Sequence, residues 1–386
     1  MSINRKQTTV WNSGDTDNLV RRDLLGLKAY VPIKPPDASD MVDGEKPSRK
    51  KTPARREIIK LNGNENPYGP SPRVQKALAT SNLLHIYPDP DQDLVRAELS
   101  KYVGVDARNI VVGSGSDELI DLTFRLFLEP GDKVINCMPT FGMYSVNTEI
   151  CGGKVVNVPR YKDFAIDVHT IEDKMDSRTK IIVIASPNNP DGSITPPMDI
   201  LRLLRTGAIV LVDEAYFEFT NGVTLAKEVI ENSNLIVVRT FSKWAGLAGL
   251  RVGYGVFPQK IADRIMAIKP PYNVNIAAQI AVLESMKDLP YLRKNVALIR
   301  KEKDRLYKAL KGVSFLQPYP SEANFILSRV TKGGAKNLRD FMLTQGIMTR
   351  YFDTPGLQDC LRISVGKPEH TDAVMAAVRK FKYNSK

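Results

Sequence analysis

Cysteine and histidine are scarce, with three of each in 386 residues. Cys137, Cys151 and Cys360 are odd in number and widely spaced, and none forms a CxxC pair. That pattern excludes a disulfide framework or a cysteine zinc site and reads as a reduced, intracellular protein. His85, His169 and His370 are far apart, so neither a histidine metal site nor a histidine triad has support, and no metal is expected. Long apolar runs are also lacking. The longest, such as IIVIA (181–185) and AIVLV (208–212), fall well short of the roughly 20 residues a membrane-spanning helix needs. The N-terminus MSINRKQTTVWNSGDTDN has no apolar stretch and carries two aspartates. It reads as neither a secretory signal nor an organelle leader, and the expected location is the cytoplasm.

Acidic residues are outnumbered, 43 against 55 Lys and Arg, for a net charge of +12. Much of the excess is local: KPSRKKTPARREIIK (46–60) has seven basic residues and one glutamate. No interleaved aromatics or DNA-binding motif accompany it, so it reads as a solvated basic loop and no nucleic-acid partner is expected. A basic surface would also attract anionic metabolites.

With 42% hydrophobic residues the chain can bury a sizeable core, and its length favours two domains. Residues 1–56 read as an N-terminal arm, in which 33–56, rich in Pro, Lys, Arg and Asp, form a basic loop. From about 57, short β-branched runs appear at 110–112, 133–137, 154–158, 180–185, 208–213 and 235–240, with amphipathic stretches between several of them. In SDELIDLTFRLFLEPG (116–131), Leu119, Leu122 and Leu126 share a helix face and Asp117 and Glu118 suit its N-terminus. Strands buried on both faces and separated by helices predict an α/β fold with a mainly parallel central sheet and helices on both faces. This large domain is expected over 57–285, with a smaller α+β domain over 286–386.

Ligands of open α/β sheets sit beyond the carboxyl ends of the strands. Three strand ends there offer chemistry: Asn188 and Asn189 in SPNNPDG, Asp213 and Tyr216 in VDEAY, and Ser242 and Lys243 in FSK. A fourth, VVGSGSDELI, is strand, glycine turn and helix start, where backbone N–H groups bind phosphate. Glu118 stands where a dinucleotide fingerprint needs its third glycine, and no P-loop Gly-Lys-Ser/Thr follows, so a single phosphate monoester fits best. Taken alone, each residue has a plainer reading: Ser116 or Asp213 as a helix cap, Asn189 as a turn former, Lys243 as a surface lysine. Together they match the needs of pyridoxal phosphate: a lysine amine for its aldehyde, a carboxylate for its ring nitrogen, donors for its phenolic oxygen, and a phosphate cradle closed by an arginine.

SKWAGLAGLRVGY, NNPDG and DEAY resemble the class I/II aminotransferases of fold type I. LNGNENPYGPSPRV (61–74), YPDPD (87–91), PTFGMYSV (139–146) and LRISVGKPEHTD (361–372) most resemble the histidinol-phosphate aminotransferases among them. The likeness spans roughly 57–386 and implies roles residue by residue. Lys243 forms the Schiff base and carries the proton transfer. Asp213 pairs with the ring nitrogen, Asn189 and Tyr216 bind the phenolic oxygen, and Phe141 stacks on the ring. Ser116, Asp117, Thr240, Ser242 and Arg251 hold the cofactor phosphate. Tyr87 reaches the cofactor of the other subunit, which implies a homodimer. Arg362 grips the carboxylate of glutamate or 2-oxoglutarate. Arg350 and Tyr30 meet the phosphate of histidinol phosphate, and Asn64 lines that pocket. The implied reaction is a transamination of histidine biosynthesis. An aromatic aminotransferase and an amino-acid-phosphate decarboxylase on the same fold are the alternatives.

Overall fold

The computed structural model describes residues 20–30, 32 and 58–382. The basic segment 33–56, expected to be a loop, lies outside the described residues. Thirteen strands are present among those described. In chain order they are β1 (Ile59–Lys60), β2 (Ile110–Gly113), β3 (Lys133–Met138), β4 (Lys154–Pro159), β5 (Thr179–Ala185), β6 (Ile209–Asp213), β7 (Leu235–Thr240), β8 (Gly253–Val256), β9 (Leu316–Pro318), β10 (Phe325–Val330), β11 (Ile347–Met348), β12 (Arg350–Tyr351) and β13 (Cys360–Ser364).

Seven strands form the central sheet in the order β2-β8-β7-β6-β5-β3-β4. Only β8 runs against the others. Successive side chains of a strand point to opposite faces, and both faces are apolar here. Ile182, Val210, Val212 and Val237 pack into one buried cluster. Their neighbours Ile181, Val183, Leu211 and Ile236 pack into a second, against the helix Ser116–Phe127 and residues Ala262 and Ile265 of the helix Gln259–Ile268. Such a sheet needs continuous apolar strands covered by helices, the signature read from the sequence.

The helix 116–127 begins one residue earlier than a Ser116 cap would require. Its N-cap is Gly115, at φ 82°, ψ 166°. A side chain there would crowd Arg251, since a Cβ on Gly115 would lie 2.7 Å from Nη2. Glycine's freedom at positive φ therefore lets this turn approach the arginine.

A second, antiparallel sheet is ordered β12-β13-β10-β9. Residues 59–60 do not join the large sheet: β1 pairs in parallel with β11, and Ser364 N–H donates to the Leu61 carbonyl at 2.9 Å. This places the NGNENP stretch between the two sheets, over the carboxyl ends of β5, β6 and β7.

Candidate active site

The carboxyl ends of the central strands open into a cavity of about 670 Å³. Every residue selected from the sequence except Tyr87 and Asn188 lines it, Tyr30, Asn64, Arg350 and Arg362 among them. Asn188 is buried beside it, donating to the Pro139 carbonyl at 3.0 Å and accepting from the Thr140 hydroxyl at 2.7 Å. The reversed strand explains part of the convergence. Gly253 of β8 stands opposite both Gly113 of β2 and Thr240 of β7, so Arg251, two residues before it, reaches the edge where parallel strands end. A Cβ on Gly253 would sit 2.5 Å from the Ser116 nitrogen and 2.7 Å from the Arg239 carbonyl oxygen. Only glycine lets the three segments meet this closely.

At that edge the Arg251 guanidinium donates to Ser242 Oγ at 3.2 Å and pairs with Asp117 at 3.0 Å. Thr240 Oγ1 lies 3.0 Å from Ser242 Oγ. The first N–H groups of a helix have no partner within it, so the start of helix 116–127 adds backbone donors and a positive dipole end to the hydroxyls and the arginine. The set suits a phosphate.

Deeper in, Asp213 ends β6 with its carboxylate buried. Its Oδ1 accepts from the Ala215 N–H at 3.0 Å and its Oδ2 from the Tyr144 hydroxyl at 2.7 Å. Burial drives the carboxyl up to about 6, against these hydrogen bonds, which favour the ionised form. Lys243 Nζ donates to the Gly63 carbonyl at 3.2 Å. Desolvation, followed by the charge of Arg362, pulls its amine down to about 8. Phe141 lies edge-on to Tyr144 and Tyr30, with centroids 5.6 Å apart in each case.

Arg362 and Arg350 are direct cross-strand partners in β13 and β12. Arg362 donates to Asn189 Oδ1 and, at 2.9 Å, to the Asn62 carbonyl. Its Nε is buried with no hydrogen-bond partner. Burial lowers its guanidinium to about 10, which leaves it charged at neutral pH. Tyr216 accepts from Asn64 Nδ2 at 3.0 Å, so Asn64 meets the Tyr216 phenol directly. Tyr87 lies outside the cavity, 79% exposed, with its ring stacked on Tyr272 at 4.6 Å.

Residues 56–378 match the family model of class I and II aminotransferases. The chain belongs to this family. Among curated proteins it is 46% identical over 364 residues to a histidinol-phosphate aminotransferase of Dehalococcoides mccartyi, covering 94% of this chain and 98% of that one. It is 44% identical to a chloroplastic histidinol-phosphate aminotransferase of Nicotiana tabacum, covering 95% and 87%. Among solved structures, the histidinol-phosphate aminotransferase of Clostridium acetobutylicum superposes with a TM-score of 0.78 at 26% identity, covering 83% of this chain and 98% of that one. The Sinorhizobium meliloti enzyme, solved with pyridoxal 5′-phosphate, gives 0.78 at 26%, covering 84% and 92%. The architecture is that of fold type I aminotransferases, and the cofactor of this aminotransferase is pyridoxal 5′-phosphate.

The residues present fit that group. A desolvated lysine, a buried carboxylate, a flat aromatic wall and a glycine-lined anion cradle share one cavity. The sequence reading missed Tyr144. Its partner lies 69 positions away, and a tyrosine in an amphipathic helix carries no signal of its own.

Proposed function

We propose that this aminotransferase moves an amino group between glutamate or 2-oxoglutarate and imidazole acetol phosphate or L-histidinol phosphate, a step of histidine biosynthesis. One observation carries the reading: the cross-strand pair of cations, Arg350 and Arg362, in one cavity with Lys243. Glutamate carries an α-carboxylate and a distal carboxylate. Histidinol phosphate has no α-carboxylate but carries a distal phosphate. A site serving both needs one cation near the reacting carbon and another farther out. Arg362, buried beside Asn189, suits the first, and Arg350 with Tyr30 suits the second.

When bound, pyridoxal phosphate supplies an aldehyde that condenses with amines and a protonated ring that draws electron density from the substrate's α-carbon. The chain supplies the rest. Lys243 Nζ would accept and hand on the proton of that α-carbon, a role suited to an amine tuned near neutrality. Asp213, oriented by Tyr144, would hold the proton at the ring nitrogen, and Asn189 and Tyr216 would bind the phenolic oxygen. Phe141, which lines the cavity, would cover the ring and limit the access of water. The arginines fix the α-carbon over the lysine.

Replacing Arg350 with Ala tests the assignment. Turnover of histidinol phosphate should fall far more than turnover of phenylalanine, and equal losses would favour an aromatic aminotransferase. The L-threonine-O-3-phosphate decarboxylase of Porphyromonas gingivalis, 25% identical with a TM-score of 0.74, supports a second reading. Release of CO₂ from a phosphorylated amino acid without 2-oxoglutarate would establish it.

The chain is also proposed to act as a homodimer in which Tyr87 reaches the partner's cofactor phosphate. Exposed Tyr87, Leu84 (71%) and Leu94 (70%) support such a face, and sedimentation tests it. Free Cys137, Cys151 and Cys360 support a reducing location, read as the cytoplasm and tested by fractionation. Residues 57–285 and 286–386 are proposed as the large and small domains, to be tested by limited proteolysis.

A further inference from the structure

The glycine turn that cradles the cofactor phosphate is held from behind by a side chain that faces away from the cavity. Glu118 Oε2 accepts from the Ser114 N–H at 2.6 Å and from Asn273 Nδ2 at 2.7 Å. The Gly115 N–H is turned onto the Gly113 carbonyl at 2.8 Å. With these two N–H groups used inside the turn, the next amides, Ser116 and Asp117, start the helix at the cavity wall. Asn273 is fixed in turn. Its Oδ1 accepts from Gln92 Nε2 and Lys269 Nζ, both at 3.4 Å. Those two groups also grip the Pro90 carbonyl at 2.5 and 2.6 Å. Gln92 is fully buried at φ 51°, and the adjoining Tyr272 stacks on Tyr87. The phosphate turn and the Tyr87 loop therefore share one support.

We propose that Glu118 is a positioning residue for the cofactor phosphate: with Asn273 it locks the Gly113–Ser116 turn so that its amides meet the phosphate. The lock acts through hydrogen bonds and not through charge, since a carboxylate close to a phosphate is electrostatically unfavourable. Both N–H groups reach the same oxygen, so a glutamine can accept both through its Oε1 while losing the charge.

The proposal rests on pyridoxal phosphate being the ligand of this turn. The test compares binding of pyridoxal phosphate and pyridoxal, which lacks the phosphate, to the full-length apoenzyme and its variants by fluorescence titration. Wild type should bind pyridoxal phosphate much more tightly. Glu118→Ala should weaken pyridoxal phosphate binding on the order of tenfold or more, as expected for loss of hydrogen bonds to a charged acceptor, and leave pyridoxal affinity within about twofold. Glu118→Gln should match or exceed wild type. Asn273→Ala, which removes only the support, should reproduce the phosphate-selective loss at reduced size and serves if Glu118→Ala does not fold. Equal losses for both ligands would show a general structural defect and overturn the proposal, as would undiminished pyridoxal phosphate binding in Glu118→Ala. A wild type that does not prefer pyridoxal phosphate over pyridoxal would overturn the premise itself, which the first titration reveals separately.

Discussion

The amine of Lys243 should be available near neutral pH in the cofactor-free protein. Desolvation and Arg362 lower it from 10.5 to about 8. At pH 7.5 roughly a quarter of the amine is then free, against about one part in a thousand for an ordinary lysine, a gain of about two hundredfold in nucleophile. Rapid mixing of apoenzyme with pyridoxal phosphate, followed by visible absorbance, measures capture. N-acetyl-lysine amide, treated in parallel, corrects for the cofactor's own titration. The corrected rate should rise tenfold per pH unit up to about 8 and then level. Arg362→Gln removes the second contribution and should move the break upward. A rate still climbing tenfold per unit through pH 9.5 would refute the reasoning. The same perturbation affects stability. The unfolded chain binds the proton more tightly, so the stability of the apoenzyme rises with pH between about 8 and 10.5. Below 8 the fold bears the full cost, about 3 kcal/mol at roughly 1.4 kcal/mol per pH unit. Lys243→Met should therefore be the more stable apoenzyme at pH 7 by up to that amount in urea denaturation, with the gap closing by pH 10.5.

Two other positions give sharp expectations. Arg239 and Glu214 form an ion pair at 2.7 Å with both side chains 4% exposed, and Glu214 also accepts from the Leu225 N–H and the Thr224 hydroxyl. Glu214→Ala removes the carboxylate in direct contact with a buried guanidinium and should destabilise by about 3–5 kcal/mol in urea denaturation. Glu218, 3.9 Å from Arg239 and pushed up to about 7 by burial, should ionise in that variant and make the loss larger at pH 5 than at pH 8. Tyr144→Phe removes the 2.7 Å hydrogen bond to Asp213. It should lower kcat on the order of tenfold, from the value of a hydrogen bond to a charged group, with the KM for glutamate little changed.

The central sheet was legible because strands buried on both faces leave unbroken β-branched runs. LIVVRT and AIVLVD coincide with β7 and β6 to within a residue. Strand β8 was not legible. GYGV carries two glycines, which weaken a strand on propensity. They are present because the Ser116 nitrogen and the Phe257 ring leave no room for a Cβ. The second sheet was also unreadable in detail: β11 and β12 are two residues each, too short for a period of two to register. At the site, strand-end logic brought out Asn189, Asp213, Ser242 and Lys243. It could not find Tyr144 or the Asn273–Glu118 contact, whose partners lie 69 and 155 positions apart. Those pairings are products of the fold, and nothing local announces them.

The two central ionisable groups are perturbed in opposite directions by the same cause. Burial raises Asp213 to about 6 and lowers Lys243 to about 8, so each is moved toward neutrality. At pH 7 both still carry charge, but each is only about one pH unit from losing it. A ligand that brings a cationic ring nitrogen to the carboxylate and an aldehyde to the amine relieves both desolvated charges. The cavity is therefore least stable when empty and most stable when filled, the usual trade of stability for function at a site. The sign can be checked by heating: added pyridoxal phosphate should raise the melting temperature more in wild type than in Asp213→Asn, whose carboxamide no longer carries a charge to be relieved.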